Sequence, residues 1–279
     1  MARGVLAAGA LPVMLACVAY DAAAGPWARK PGSAYVQLGG TTLGYDRIYN
    51  DASVKAPAGG KARDNVAQLF ADVGVLPGFT VTAMAPLVSI SFEPDAGGDL
   101  SNSGFGDLEL GARYTFMERE GYAVAAALDL RLPTGDSDDP NGLLLGDGEV
   151  TAVPGILAGK SFHPLPLYVT AGFGYGLRGG RYSDDLRYSL EAGYGLWEGT
   201  VTVILLYSGQ TPLDQKPTVP SKAGDLGLDS NNRGFSAIIP KLFLRPGGPW
   251  AVTLSYATAF GGRNVGAGAV LGAGVAYVF

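Results

Sequence analysis

The ionisable residues of this sequence fall on alternate positions. Over 104–116, Asp107, Glu109 and Arg113 share one side of the chain with Gly111, while Leu108, Leu110, Ala112, Tyr114 and Phe116 share the other. The pattern recurs where Asp129 and Arg131 oppose Leu128, Leu130 and Leu132, and where Asp185, Arg187 and Glu191 oppose Leu186, Tyr188, Leu190, Tyr194 and Leu196. With Asp72 and Arg178, and Lys241 beside them, these residues are the candidates for an enclosed polar surface. Charges of both signs on neighbouring segments can pair at tolerable desolvation cost and keep an interior wet and rigid. Alternatively, some of them form a constriction that selects a solute. Asp107 and Asp129 are the leading pair, with Arg113 and Arg131 as counter-charges.

Other chemistries lack their residues. A serine nucleophile needs a histidine base, and the only histidine, His163, sits in a turn at 162–165. The acidic run Asp136-Ser137-Asp138-Asp139-Pro140-Asn141-Gly142 lacks the twelve-residue spacing of a calcium loop. Gly172-Phe173-Gly174-Tyr175-Gly176 puts its glycines on one face of a strand with no helix after it, so it is no dinucleotide fingerprint. The single cysteine, Cys17, falls in the leader, and a net charge of -5 gives no basic footprint for nucleic acid. The expectation is a protein that is not an enzyme and holds no metal or cofactor.

The elements that carry these residues must expose apolar surface to something other than water. Hydrophobic residues make up 47% of the chain and charged ones 16%, well under the roughly 25% of soluble domains. Past the first two dozen residues there is no apolar run of the roughly 18 residues that a membrane helix needs. Only helices and closed barrels satisfy their backbone in lipid, so the membrane reading is a barrel. Strands are expected at 33–43, 63–75, 79–90, 104–116, 121–132, 148–161, 166–178, 182–196, 199–208, 233–244, 249–260 and 266–279. Connections at 44–62, 91–103, 133–147 and 211–232 are long, while those at 76–78, 117–120, 162–165, 197–198 and 245–248 are short. Only 179–181 is tight where a long one is due. This predicts an all-β, transmembrane, antiparallel up-and-down β-barrel of about 12 strands, with short periplasmic turns and long extracellular loops. Phe79, Tyr114, Phe116, Tyr122, Trp197 and Trp250 lie beside the short turns, as an interfacial belt would.

Arg3, the apolar stretch 4–20 and Ala22-Ala23-Ala24 before Gly25 read as a cleaved signal peptide over 1–24. Residues 25–279 then form a single barrel. Its last strand ends on Tyr277 and Phe279 of one face, which resembles the terminal signal read by the barrel-assembly machinery of Gram-negative bacteria.

Gly104-Phe105-Gly106-Asp107-Leu108-Glu109-Leu110-Gly111-Ala112-Arg113-Tyr114 is followed by Leu128-Asp129-Leu130-Arg131-Leu132-Pro133-Thr134-Gly135-Asp136, by Leu145-Gly146-Asp147-Gly148, and by the strand around Gly174-Tyr175. In these segments the middle of the chain resembles the outer-membrane family of MetA-pathway phenol-degradation transporters. The loop 210–232 departs from it. The resemblance implies passage of small, hydrophobic or aromatic solutes across the bacterial outer membrane. The alternative is a structural or surface-interaction barrel with a plugged lumen and ligand-binding outer loops. Expected partners are outer-membrane lipid and lipopolysaccharide, the barrel-assembly machinery and a small-molecule solute, with no nucleic acid.

Overall fold

The computed structural model describes residues 25–217 and 231–279. The signal peptide read at 1–24 and most of the longest loop lie outside them. Antiparallel strands follow in chain order: β1 (Ala34–Tyr49), β2 (Lys55–Leu76), β3 (Phe79–Pro94), β4 (Leu100–Phe105) and β5 (Leu108–Arg119). Then come β6 (Tyr122–Leu132), β7 (Thr151–Ser161), β8 (Leu167–Arg178), β9 (Asp185–Leu196) and β10 (Val201–Pro212). The circuit ends with β11 (Gly234–Leu244), β12 (Trp250–Arg263), β13 (Val265–Gly266) and β14 (Ala269–Val278). β4 and β5 lie end to end against β3, as β13 and β14 do against β1. The segments thus make twelve staves, and pairing of β1 with both β14 and β2 closes the barrel. The strand count and connectivity expected from the alternation are the ones found.

Period-two alternation places each side chain. On β9, Asp185 and Glu191 are buried inside, while Leu190 is 51% exposed on the outer wall. Leu69 at 53% and Leu271 at 55% continue that outer apolar surface around the barrel. Such a belt is stable against hydrocarbon and costly against water. Aromatic rings border it at the turn end: Trp250 stands edge-on to Tyr277 at 4.9 Å, and Tyr277 lies 5.3 Å from Phe279.

The first two connections read as long loops are largely strand. β1 runs to Tyr49 and β2 starts at Lys55; β3 runs to Pro94 and β4 starts at Leu100. The alternation persists there with its polarity reversed. Tyr45, Ala62, Ile90 and Phe92 point inward and are buried, while Lys61, Arg63 and Glu93 point outward and are exposed. A search for outward apolar residues ends where the wall leaves the lipid, although the ladder continues. The 133–150 connection, in contrast, is a true loop. It folds into the barrel, where Leu143 and Leu145 join an apolar cluster with Leu43, Val88, Phe92 and Leu206.

Leu190→Arg, in the middle of the outer wall of β9, is expected to cost about 2–4 kcal/mol in a bilayer, against about 0–1 kcal/mol for Ser101→Arg near the loop-end rim. Urea unfolding in phospholipid vesicles reads the difference; equal costs would mean that the apolar belt does not face lipid.

Candidate functional site

The inward faces of the staves enclose a space with three layers. At the turn end, the segment before β1 crosses the mouth. Thr115 Oγ1 donates to the Pro26 carbonyl at 2.7 Å, and the Arg29 amide donates to Thr80 Oγ1 at 3.1 Å. Trp27 meets the edge of Tyr168 at 6.2 Å. The Arg29 guanidinium lies 2.9 Å from the fully buried carboxylate of Asp72, and Arg113 approaches the same carboxylate at 3.8 Å. The wall has been thinned to admit this segment. A Cβ on Gly159 would come within 2.7 Å of both Pro26 and Trp27, and one on Gly74 would collide with the Lys30 carbonyl.

The middle layer is a chamber of about 210 Å³. Glu109, Arg113, Asp129, Arg131 and Arg187 border it, with Ser189, Ser208 and Gln210. Val153, Leu157 and Phe235 give it an apolar side. The charges are largely consumed in the wall: Arg131 Nε donates to Glu109 at 2.9 Å, and Arg187 Nε to Asp185 at 2.8 Å. Gln210 Nε2 adds a bond to Asp185 at 3.0 Å, and Tyr168 donates to Glu191 at 2.8 Å nearer the turn end.

At the loop end, the 133–150 loop is fastened by two carboxylates. Asp107 accepts from the amides of Gly135 and Asp147, each at 3.1 Å. Asp147 in turn binds Arg178 at 2.7 Å and Arg233 at 3.4 Å. Tyr182, fully buried, donates to the Asp147 carbonyl at 3.1 Å and has Arg178 over its ring at 4.3 Å. Burial pushes the Asp147 carboxyl up, but Arg233, Arg178 and Arg131 outweigh it and hold the pKa below the ordinary value. Within the acidic run, Asp139 accepts from the amides of Asn141 and Leu143 and shapes the turn that inserts Leu143. No cluster of metal-ligating side chains occurs among the described residues.

The ten candidates thus separate. Glu109, Arg113, Asp129, Arg131 and Arg187 meet at the chamber; Asp185 and Glu191 brace it; Asp72 holds the N-terminal segment; Asp107 and Arg178 hold the loop. The pairing expected around Asp107 is not the one formed. Its oxygens are taken by loop amides, Arg131 turns to Glu109, and Arg113 turns to Asp72. Pairing follows which inward residues are neighbours across staves, and Arg131 stands in register with Glu109. Sequence reasoning missed Asp147, Arg233, Tyr182 and Arg29: Asp147 and Arg29 lie outside the expected strands, while Tyr182 and Arg233 open two of them and stand just ahead of the β9 and β11 that form. Only Asp147 carried a signal, between the two glycines of 146–148. It also missed Asp64, inward on β2, 1% exposed and without a hydrogen-bond partner among the described residues. His163 sits in the exposed turn after β7.

The family profile for the MetA-pathway of phenol degradation matches residues 46–271, most of the chain and all of the chamber. The chain belongs to that family. No curated protein matches it in sequence. An outer membrane channel from Pseudomonas putida F1 has a similar structure, with a TM-score of 0.73 at 15% identity over 90% of this chain and 97% of that one. The translocator domain of the autotransporter NalP from Neisseria meningitidis follows at 0.54, with 13% identity over 96% of this chain and 94% of that one. At these identities the likeness is one of fold. This member of the phenol-degradation family has the closed architecture of outer-membrane barrels.

Asp147→Asn removes the buried carboxylate that Arg178 and Arg233 share, and breaking such a pair costs about 3–5 kcal/mol. Protease cleavage within 133–150 is expected to rise in the variant, while the strands stay protected. Because the folded carboxyl titrates below its unfolded value, its contribution is fully present above the unfolded pKa, near 3.9, and is lost as pH falls through the lower folded value. The wild-type loop should therefore stay protected at pH 5 and loosen only in the acid range below about 4. Loss of protection between pH 5 and 7 would discount the Asp147 anchor.

Proposed function

We propose that this protein is an outer-membrane channel for small hydrophobic or aromatic solutes, with the chamber as the waypoint of its path. The observation that carries the reading is how the lumen is filled. The mouths are closed by chain segments, not by the wall, and between them lies a space with one polar and one apolar side. A chamber of about 210 Å³ accommodates a single-ring solute. Glu109, Arg131, Arg187 and Gln210 are already hydrogen-bonded within the wall, so an apolar guest does not strand them. The protein of like fold from Pseudomonas putida F1 is an outer membrane channel, which supports the same reading here.

In this reading Glu109, Arg113, Asp129, Arg131 and Arg187 line the path, whereas Asp72, Asp107 and Arg178 set whether its ends are open. The 1–24 leader exports the chain to the outer membrane of a Gram-negative cell. Tyr277 and Phe279 present the assembly signal at the periplasmic rim, and the loop end faces outside among lipid and lipopolysaccharide. The second reading, a plugged barrel whose outer loops bind a ligand, is favoured by the same occupied mouths.

Solute flux decides between them. In vesicles, a single-ring aromatic solute is expected to enter faster through the wild type than through Ser208→Trp, which fills the chamber. Arg29→Ala frees the N-terminal segment from Asp72 and should raise single-channel conductance in planar bilayers. Absence of both flux and conductance, in wild type and variants alike, leaves the plugged barrel.

A further inference from the structure

The outer wall of β1, β2 and β3 carries cations at one particular height. On β2 the outward residues run Val75, Val73, Ala71, Leu69, Ala67, Asn65, Arg63 and Lys61 toward the loop end. The ten residue steps from Val75 to Asn65, at about 3.3 Å each and a tilt of about 40°, climb about 25 Å, the height of the apolar band of an outer-membrane barrel. β3 changes character at the same level, where Ser89 faces Asn65 just beyond Leu87. Arg63 and Lys61 are therefore the first and second outward side chains beyond the hydrocarbon edge, at the depth of lipid headgroups.

Their surroundings leave them available. In register, Arg63 has Gly44 on β1 and Ser91 on β3, so no carboxylate stands directly across from it. Lys61 stands opposite Glu93. Neither head group makes a hydrogen bond or ion pair among the described residues, although the whole chain is acidic at -5. Higher on the same wall, Arg47 and Lys55 are also exposed, Arg47 being turned outward by the bulge after Tyr45. The exposed acids on this wall are Glu93, opposite Lys61, and Asp46, beside the β1 bulge, and among the described residues neither forms an ion pair with Arg63 or Lys61.

We propose that Arg63 and Lys61 bind the phosphate of a phosphorylated glycolipid in the outer leaflet, with Leu69, Leu87 and Phe105 below them against its acyl chains. A guanidinium donates two parallel bonds to a phosphate, and a neighbouring ammonium adds a point charge. Low dielectric just beneath the headgroups strengthens both. The inference rests on the orientation in the proposed function, in which the loop end lies outside.

The test titrates diphosphoryl lipid A into the full-length protein, processed as the cell exports it, in detergent micelles. Dephosphorylated lipid A and phosphatidylglycerol serve as comparison lipids. Diphosphoryl lipid A is expected to bind, and both comparison lipids to bind at least about ten-fold more weakly, the worth of one charge-assisted hydrogen bond. Lys61→Ser/Arg63→Ser should lose the same factor, Lys61→Arg/Arg63→Lys should keep most of the affinity, and Arg119→Ser at the turn end should match the wild type. Heat-modifiable migration on gels verifies that each variant is folded. Equal binding of the dephosphorylated lipid, or wild-type affinity in the folded serine variant, overturns the site. Solute flux in glycolipid-free vesicles is measured in parallel: flux lost with lipid binding kept counts against the channel alone, and the reverse counts against this site alone.

Discussion

Every backbone amide and carbonyl that meets hydrocarbon must be paired within the protein, and a sheet achieves this only by closing on itself. Here closure falls on β1, which pairs with β14 on one side and β2 on the other. Once the ladder is a ring, a strand has no edge and only two faces, and each residue's position decides whether it meets lipid or lumen. The arrangement of charges is a consequence. Asp72, Glu109, Arg131 and Glu191 are inside because their neighbours in sequence are outside.

A ring of twelve staves encloses more volume than its own inward side chains fill, and the surplus is taken up by chain that is not part of the wall. The segment before β1 occupies one end and the 133–150 loop the other. Each is held by a buried carboxylate with arginines: Asp72 with Arg29 and Arg113, Asp147 with Arg178 and Arg233. Buried ion pairs contribute little net stability over apolar packing, yet they are costly to break one partner at a time. Such pairs suit fixing a segment in a single position better than holding a barrel together. The apolar contacts of Leu143 and Leu145 provide the complementary, non-directional part of the same attachment.

The wall was legible in the sequence because closure imposes a period of two that no loop imitates. β5, β6 and β9 could be read residue by residue, including which side chains point inward. What escaped reading was whatever the period does not govern. Strands past the lipid edge keep the period but reverse its polarity, so Tyr45 and Phe92 passed for loop residues. The partner of an inward charge depends on register, which explains why Arg131 belongs to Glu109 and not to Asp107. Arg29 and Asp147 sit in irregular chain, where local sequence gives no direction for a side chain. Asp64 escaped for the opposite reason: it lies in a regular strand, but on a stretch whose inward neighbours are apolar.

The reversal of polarity along β2 also separates two electrostatic environments within one strand. Below the lipid edge, charge is permitted only inside, where Asp72 is compensated by arginines drawn from other segments. Above it, the inside of β2 is mostly apolar, with Ala62, Val66 and Phe92 packed around the buried Asp64, and Lys61 and Arg63 stand on the outer surface. The outer surface at that height is neither hydrocarbon nor bulk water, so a cation there is only partly hydrated and gains from an anionic neighbour more than it would in solution. The alternation that builds the wall thereby also fixes the level at which the wall changes from repelling charge to presenting it.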